Sequence, residues 1–355
     1  MNHEDPVLLH TEGRIRHLTL NRPRALNALN HTMVLRLSEA LDEAEADTSV
    51  VAVVLTGAGE RGLCAGGDIR SVRDDALAGG TASLGFWRDE YRLNARIARF
   101  PKPYVALMDG IVMGGGVGVS AHGSTRIVTE RSRVAMPETG IGFVPDVGGT
   151  RLLGAAPGEL GTHLALTGDA VGAADALLCG LADHYVPSHD LPALLAALNA
   201  STTAEQVRAA VERFATTAPG GTLAAQREWI DACYPADTVE DIVERLDAHG
   251  APAAKQAAAT IVAKSPTALK VTLEAVRRAR RLDSLEAVLD QEFRVSSVAF
   301  TGPDLVEGVR AQIVDKDRDP HWTPATLAEV TDAEVERHFA ALGDEELGLA
   351  AGLRA

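Results

Sequence analysis

The chain has 355 residues, 46% of them apolar and 23% charged, ordinary values for a globular protein with a sizeable core. At roughly 150 residues per domain that length means two domains or one large one. Its 34 Lys and Arg against 49 Asp and Glu give a net charge of −15, which excludes nucleic acid and an anionic membrane surface as main partners, since both would repel it.

A local basic pocket for a phosphorylated ligand stays open. Cys64, Cys179 and Cys233 form no C-x-x-C pair and are too few for a disulfide framework. The start, Met1 to Asp5, carries acids where a transit peptide carries Arg, and no apolar run reaches the roughly 18 residues of a membrane span. A soluble, cytoplasmic protein is expected.

In chain order, Ile15 to Leu20 reads as a strand that ends at the loop Asn21 to Arg24. Asn30 then caps a helix whose apolar residues Met33, Leu37, Leu41 and Ala44 recur at spacings of three and four. Val50 to Leu55 is a short β-branched run, read as a strand buried on both faces. Pro101 and Pro103 stop the helix before a strand at Tyr104 to Met108, and Arg126 to Thr129 is another. Between them lies the glycine cluster Gly114 to Gly118. The alternation predicts an α/β core.

From about Leu191 the chain becomes alanine-rich and helical. Val207, Val211 and Phe214 share one face, as do Val239, Ile242, Val243 and Leu246. Ser265-Pro266 opens a helix toward Arg281, and Leu285 to Phe300 and Asp304 to Val314 continue the pattern. The acidic end after Pro324 is expected to form one more surface helix with a frayed tail. The expected division is therefore residues 1–200 as α/β core and 201–355 as a helical region, with a soft boundary.

Several familiar motifs fail. There is no P-loop and no H-E-x-x-H or paired Cys/His spacing, so no metal site is expected. Gly116 to Ala121 matches G-x-G-x-x-A, but Glu130 follows only 14 positions on, where a dinucleotide fold needs roughly 20. Gly62-Leu63-Cys64-Ala65-Gly66 resembles a nucleophile elbow, yet Thr56 to Arg61 separate it from its strand. Cys64 is expected to be buried and inert. None of the eleven His has ligand spacing.

Three segments carry more. Arg61 to Ile69 is a glycine-bearing turn, where a ligand can approach the main chain and meet free N–H groups. Met113 to Gly118 opens a short helix, whose first amides lack partners. Two such amide sources could converge on an oxygen that gains negative charge. Met136 to Gly149 supplies Glu138 and Asp146 among apolar and glycine residues, company that perturbs carboxylate pKa values. The plain alternative is that Glu138 caps a loop and Asp146 starts the helix toward Leu153.

Taken in order, these pieces resemble the crotonase superfamily, the enoyl-CoA hydratase/isomerase family. The matching phrases are Leu20-Asn21-Arg22-Pro23 with Asn27-Ala28-Leu29, Cys64 to Ile69, Met113 to Gly116, Met136-Pro137-Glu138 with Gly142, Gly148 to Leu152, Leu166-Thr167-Gly168 and Glu307 to Arg310, spanning about residues 8 to 325. The resemblance implies a spiral of ββα turns followed by a helical region, and an acyl-CoA substrate. It implies backbone N–H groups of Gly67 and Gly115 as oxyanion donors. Arg24, Leu26, Ala65, Asp68 and Ile69 would line the coenzyme A site.

Hydratases of this family carry one glutamate in the helix after the glycines and one in the later loop. Gly118 occupies the first position here and Glu138 the second, while Asp146 adds a carboxylate where hydratases usually carry glycine. These residues, the phrases Met113 to Ser120 and Pro145 to Gly149, and Glu90-Tyr91 resemble the 3-hydroxyisobutyryl-CoA hydrolase branch.

That likeness implies thioester hydrolysis in valine degradation. Glu138 would be nucleophile or general base, Asp146 would bind the substrate hydroxyl, and Glu90 would be another substrate-site residue. For Glu90 the plain alternative is a solvated helix acid beside Asp89. No cofactor is expected, since coenzyme A belongs to the substrate, and relatives lead one to expect a homo-oligomer. Acyl-CoA isomerisation on the same fold and a silent acyl-CoA-binding protein are the rival readings.

Overall fold

The computed structural model describes residues 5–353, so Met1 to Glu4 of the acidic start lie outside it. Among the described residues eight strands form: β1 Val7–Glu12, β2 Ile15–Leu20, β3 Ala52–Gly57, β4 Tyr104–Met108, β5 Ile111–Met113, β6 Thr125–Val128, β7 Arg133–Ala135 and β8 His184–Tyr185. Six make one sheet in the order β1-β2-β3-β4-β6-β8, and β5 pairs with β7. Within the six-stranded sheet β1 and β2 run antiparallel, with Val7 opposite Leu20, and the other pairs are parallel, as helical connections between strands require.

The strands read from sequence appear within two residues of their expected bounds. β1 gives no such signal because only its first residue is buried, so it lacks the alternation of a half-buried strand. β5 and β7, three residues each, are too short to show a period.

The chain divides into two compact units. The first holds residues up to Gly67, Arg92–Val134 and Val171–Gly221; the second holds Asp68–Tyr91, Ala135–Ala170 and the chain from Thr222 onward. Each is assembled from three stretches, whereas composition gives a single boundary near residue 200. The turn to alanine-rich helix at Leu191 marks where strands cease, not where packing changes partner.

The first unit contains the six-stranded sheet. Its core joins Ile15, Val54, Val105, Leu107 and Ile127 to Leu194 and Leu198 of helix Leu191–Asn199 and to Val207 and Val211 of helix Ala204–Phe214. Helix His31–Ala46 starts as expected, with Asn30 Oδ1 accepting the Met33 N–H at 2.9 Å.

In the second unit, Ser265 caps helix Pro266–Ala279, whose Val271 and Ala275 pack with Val144, Val295, Val330, Val335 and Phe339. The acidic end departs from the frayed helix expected for it. After a short helix, Asp332–Arg337, the tail is tied down by residues distant in sequence. The Glu346 carboxylate accepts from Arg294 Nε at 2.8 and 3.0 Å, and its carbonyl from Arg88 at 2.8 Å. Asp290 accepts the Leu349 and Ala350 amides at 2.8 and 2.9 Å. Among the described residues no helix is long and apolar enough to cross a membrane.

Candidate active site

In the first unit the two glycine segments lie side by side. Cys64 and Val112 form a parallel bridge: the Cys64 N–H donates to the Ile111 carbonyl at 3.1 Å, and the Met113 N–H to the Cys64 carbonyl at 3.0 Å. Approach is so close that a Cβ on Gly116 would stand 2.4 Å from the Cys64 carbonyl oxygen, which only glycine permits. Gly66, at φ +114°, brings the backbone within 3.9 Å of the Gly115 nitrogen, measured from where a side chain would begin.

Gly67 is bridged to Leu29 through the Gly66 carbonyl, which accepts the Leu29 N–H at 2.8 Å, so Gly67's own N–H is turned away from Leu29. Gly115 is the first residue of helix Gly115–Ser120, where an amide has no intrahelical partner. Two neighbouring segments thus present amides suited to a carbonyl oxygen acquiring charge.

The expected coenzyme A loop belongs to this unit as far as Ala65. Arg24 is exposed and Leu26 half-buried. Arg61 donates to the Arg24 carbonyl at 3.1 Å, and the Ala65 N–H to the Leu26 carbonyl at 3.0 Å. Asn27, at φ +56° and buried, ties the loop together: its Oδ1 accepts the Arg22 N–H at 2.9 Å, while its Nδ2 donates to the Ala58 and Gly62 carbonyls at 3.0 and 3.2 Å. Asp68 and Ile69, both half-buried at the start of helix Ile69–Leu77, belong to the second unit. Cys64 is buried, as expected of an inert thiol.

The acids gather in the second unit. Glu90 is 2% exposed, Glu138 7% and Asp146 5%. Glu90 is therefore no solvated helix acid, and Asp146 does not start a helix, because helix Gly149–Gly154 begins three residues later behind a left-handed Gly148. Tyr91 Oη donates to Asp146 Oδ2 at 2.7 Å and lies 2.9 Å from Ser296 Oγ. Glu138 opens a 3-10 turn, Glu138–Ile141, and its Oε2 is buried without a hydrogen-bond partner, as is Glu90 Oε1. Unmet acceptors of this kind are costly in a protein interior, and active sites are where they persist.

Burial raises all of these acids. Asp146 is pushed up to about 7, moderated by the Tyr91 hydroxyl. Glu138 is held well above the usual carboxylate range by burial first and then by the charge of Asp146, and Glu90 likewise. Crowded together and buried, these acids titrate as a coupled group, and ionisation of one disfavours ionisation of the others.

A fourth buried acid, Glu292, is pushed by burial up to about 8, although the hydroxyl and amide of Thr150 and the amide of Gly148 pull it down. Glu292 and Ser296 lie in no motif, and the phrases that contain Tyr91 and Thr150 give those two residues no role. The available signal for Glu292 is an acid at a core position: on helix Leu285–Phe300 it follows Val288 by four residues and precedes Val295 by three.

These shifts set the sign of the stability profile. An acid whose folded pKa exceeds its unfolded value binds its proton more tightly when folded, so stability falls as pH rises through the folded pKa. Buried His163, lowered to about 4, and His17 and His338, also lowered by burial, stay neutral above pH 6.5. Between pH 8.5 and 6.5 the buried acids carry the main trend. The protein is expected to gain about 1–3 kcal/mol as pH falls across that window, seen as a rising melting temperature. Below it, protonation of those histidines in the unfolded chain opposes further gain. Asp146→Asn should flatten the rise; a melting temperature that drops from pH 8.5 to 6.5 contradicts it.

The family model described as enoyl-CoA hydratase/isomerase matches residues 15–339. Among curated proteins, the chain is 42% identical over 348 residues to the mitochondrial 3-hydroxyisobutyryl-CoA hydrolase of Rattus norvegicus, covering 96% of this chain and 90% of the relative. It is 40% identical over 351 residues to that of Homo sapiens, covering 97% and 90%. A solved structure described as a carnitinyl-CoA dehydratase from Mycobacterium thermoresistibile superimposes with a TM-score of 0.93 at 56% identity, over 97% of this chain and 98% of the other. One described as an enoyl-CoA hydratase from Rhodobacter sphaeroides 2.4.1 gives 0.90 at 42%, over 96% and 99%. The crotonase-like α/β fold expected from the motifs is the fold of these neighbours. On a family match spanning most of its length and on relatives of this similarity, the chain belongs to the enoyl-CoA hydratase/isomerase family.

Proposed function

We propose that the protein hydrolyses a 3-hydroxyacyl-CoA thioester, with 3-hydroxyisobutyryl-CoA giving 3-hydroxyisobutyrate and coenzyme A as the leading case. The observation that carries this reading is the buried Glu138, whose unpartnered Oε2 shares an electrostatic environment with Asp146. The names of the curated relatives support it. The Gly67 and Gly115 amides are assigned to the thioester oxygen as it becomes an oxyanion. Glu138 acts as nucleophile, through a mixed anhydride, or as the base that activates water.

Asp146 accepts the hydrogen bond of the substrate's 3-hydroxyl, and Glu90 completes the acyl end. Arg24, Leu26, Ala65, Asp68 and Ile69 are assigned to coenzyme A. The reading calls for no metal or redox cofactor. It places the reaction in a reducing, cytoplasmic compartment, for which the support is three buried cysteines that form no disulfide; the curated relatives' own names say mitochondrial. A thiol-release screen over a panel of acyl-CoA esters tests the proposal, and equal or absent release from every hydroxylated ester overturns it.

A dehydratase or hydratase reading rests on the names of the solved neighbours. Gly118, buried inside helix Gly115–Ser120, has no side chain with which to supply an acid. Loss of a positioned acid–base group costs about 100- to 10,000-fold. Crotonyl-CoA is therefore expected to keep its enoyl absorbance in the presence of this protein, and hydration at the rate of a dedicated hydratase would favour that second reading.

A further inference from the structure

Helix Leu285–Phe300 carries an acid that no step of the proposed reaction uses. Glu292 is 1% exposed, and its carboxylate accepts three hydrogen bonds: from the Gly148 N–H at 2.6 Å, the Thr150 N–H at 2.9 Å and the Thr150 hydroxyl at 2.6 Å. Both amides belong to the turn that follows Asp146, and the Gly149 N–H folds back onto the Asp146 carbonyl at 2.7 Å. One helical turn further along, Ser296 Oγ meets the Tyr91 hydroxyl that donates to Asp146.

The same helix thus holds the backbone after Asp146 through Glu292 and reaches its carboxylate through Ser296 and Tyr91. Between the two anchors stands Val147 at φ +53°, a left-handed conformation that a β-branched residue does not take up unaided. The turn's shape is imposed on it. An apolar side chain would fill the same volume but leave these three donors without partners, so the acid is called for by the turn it binds and not by packing.

We propose that Glu292 is a positioning residue: acting through Gly148 and Thr150, it fixes where the Asp146 carboxylate stands and so governs discrimination in favour of substrates that carry a 3-hydroxyl. This rests on the assignment of Asp146 to hydroxyl recognition.

Thiol release from 3-hydroxyisobutyryl-CoA and from isobutyryl-CoA is measured in wild type, Glu292→Gln, Asp146→Asn and the double variant, each with a melting curve. Glutamine keeps the size of the side chain but offers one acceptor oxygen to three donors. Glu292→Gln is expected to lower the ratio of kcat/KM for the two esters by about three- to thirtyfold, as a misplaced contact does, with isobutyryl-CoA kept within about threefold of wild type. Once Asp146 is Asn, Glu292→Gln should lower the ratio no further.

Equal loss on both esters, or two losses of selectivity that multiply in the double variant, overturns the proposal. If Asp146→Asn lowers the ratio and Glu292→Gln does not, the positioning role falls while the role of Asp146 stands. If Asp146→Asn leaves the ratio unchanged, hydroxyl recognition by Asp146 falls, and this proposal with it. Should Glu292→Gln not fold, Thr150→Val removes one donor at constant shape and Thr150→Ser retains it. The first must then lower the ratio by about twofold or more and the second must restore it, or the proposal is overturned.

Discussion

Glu138→Gln is expected to abolish thiol release while leaving binding of the coenzyme A ester close to intact. The amide keeps the shape of the side chain but has neither the basicity nor the nucleophilicity of a carboxylate. A positioned acid–base group alone is worth about 100- to 10,000-fold, and loss of a nucleophile would cost at least as much. Folding should not suffer, because the carboxyl is buried with one oxygen unpartnered and burial already disfavours its charge.

The pH profile supplies an independent check. As nucleophile or base Glu138 would have to be ionised, and burial together with the charge of Asp146 holds its pKa well above the usual carboxylate range. The wild-type kcat/KM should therefore keep rising with pH above that range, against the trend expected for stability. That rise should be missing from any residual activity of the variant. Wild-type turnover by Glu138→Gln would make Glu138 a structural residue.

The second large effect is one of selectivity. Asp146→Asn should slow the hydroxylated ester far more than unsubstituted isobutyryl-CoA. A hydrogen bond to a charged group is worth roughly 1.5–3 kcal/mol, so the preference for the hydroxylated ester should fall by about ten- to a hundredfold. The Tyr91 hydroxyl reaches Asp146 Oδ2 and fixes the orientation of the carboxylate. Asparagine in its place can still accept from Tyr91 but turns an amide toward one side of the site. Measured kcat/KM values for the two esters in both proteins check this. An unchanged ratio removes hydroxyl recognition from Asp146 and leaves the hydrolase reading on Glu138 and the likeness to relatives.

Much of the candidate site is legible in the sequence. Gly67, Gly115, Glu138 and Asp146 stand in local phrases whose spacing is set by a turn or by one helix start. The contacts of Tyr91, Ser296 and Thr150 could not be found that way, because a hydroxyl side chain carries no sign of what it will touch. Glu292 was the partial exception, an acid on an apolar helical face, but that pattern alone does not name Gly148 and Thr150 as its partners. The plain readings of Glu90 as a solvated acid and Asp146 as a helix start failed for the same reason. Both depend on burial, which comes from packing against segments far away in the chain.

Local features are written in the residues: the buried strand near Val50 to Leu55 in its β-branched run, the helix starts at Asn30 and Ser265 in their caps, and the close glycine approach at Gly62 to Gly67. These follow from backbone sterics and hydrogen bonds over a few residues. Whatever depends on desolvation and on distant partners came with packing. Packing grouped the chain into two interleaved units, docked the acidic tail through Glu346 and Asp290, and buried Glu90, Glu138, Asp146 and Glu292 together in one unit. A carboxylate's pKa and its partners are properties of the medium around it, and that medium exists only once the chain has packed.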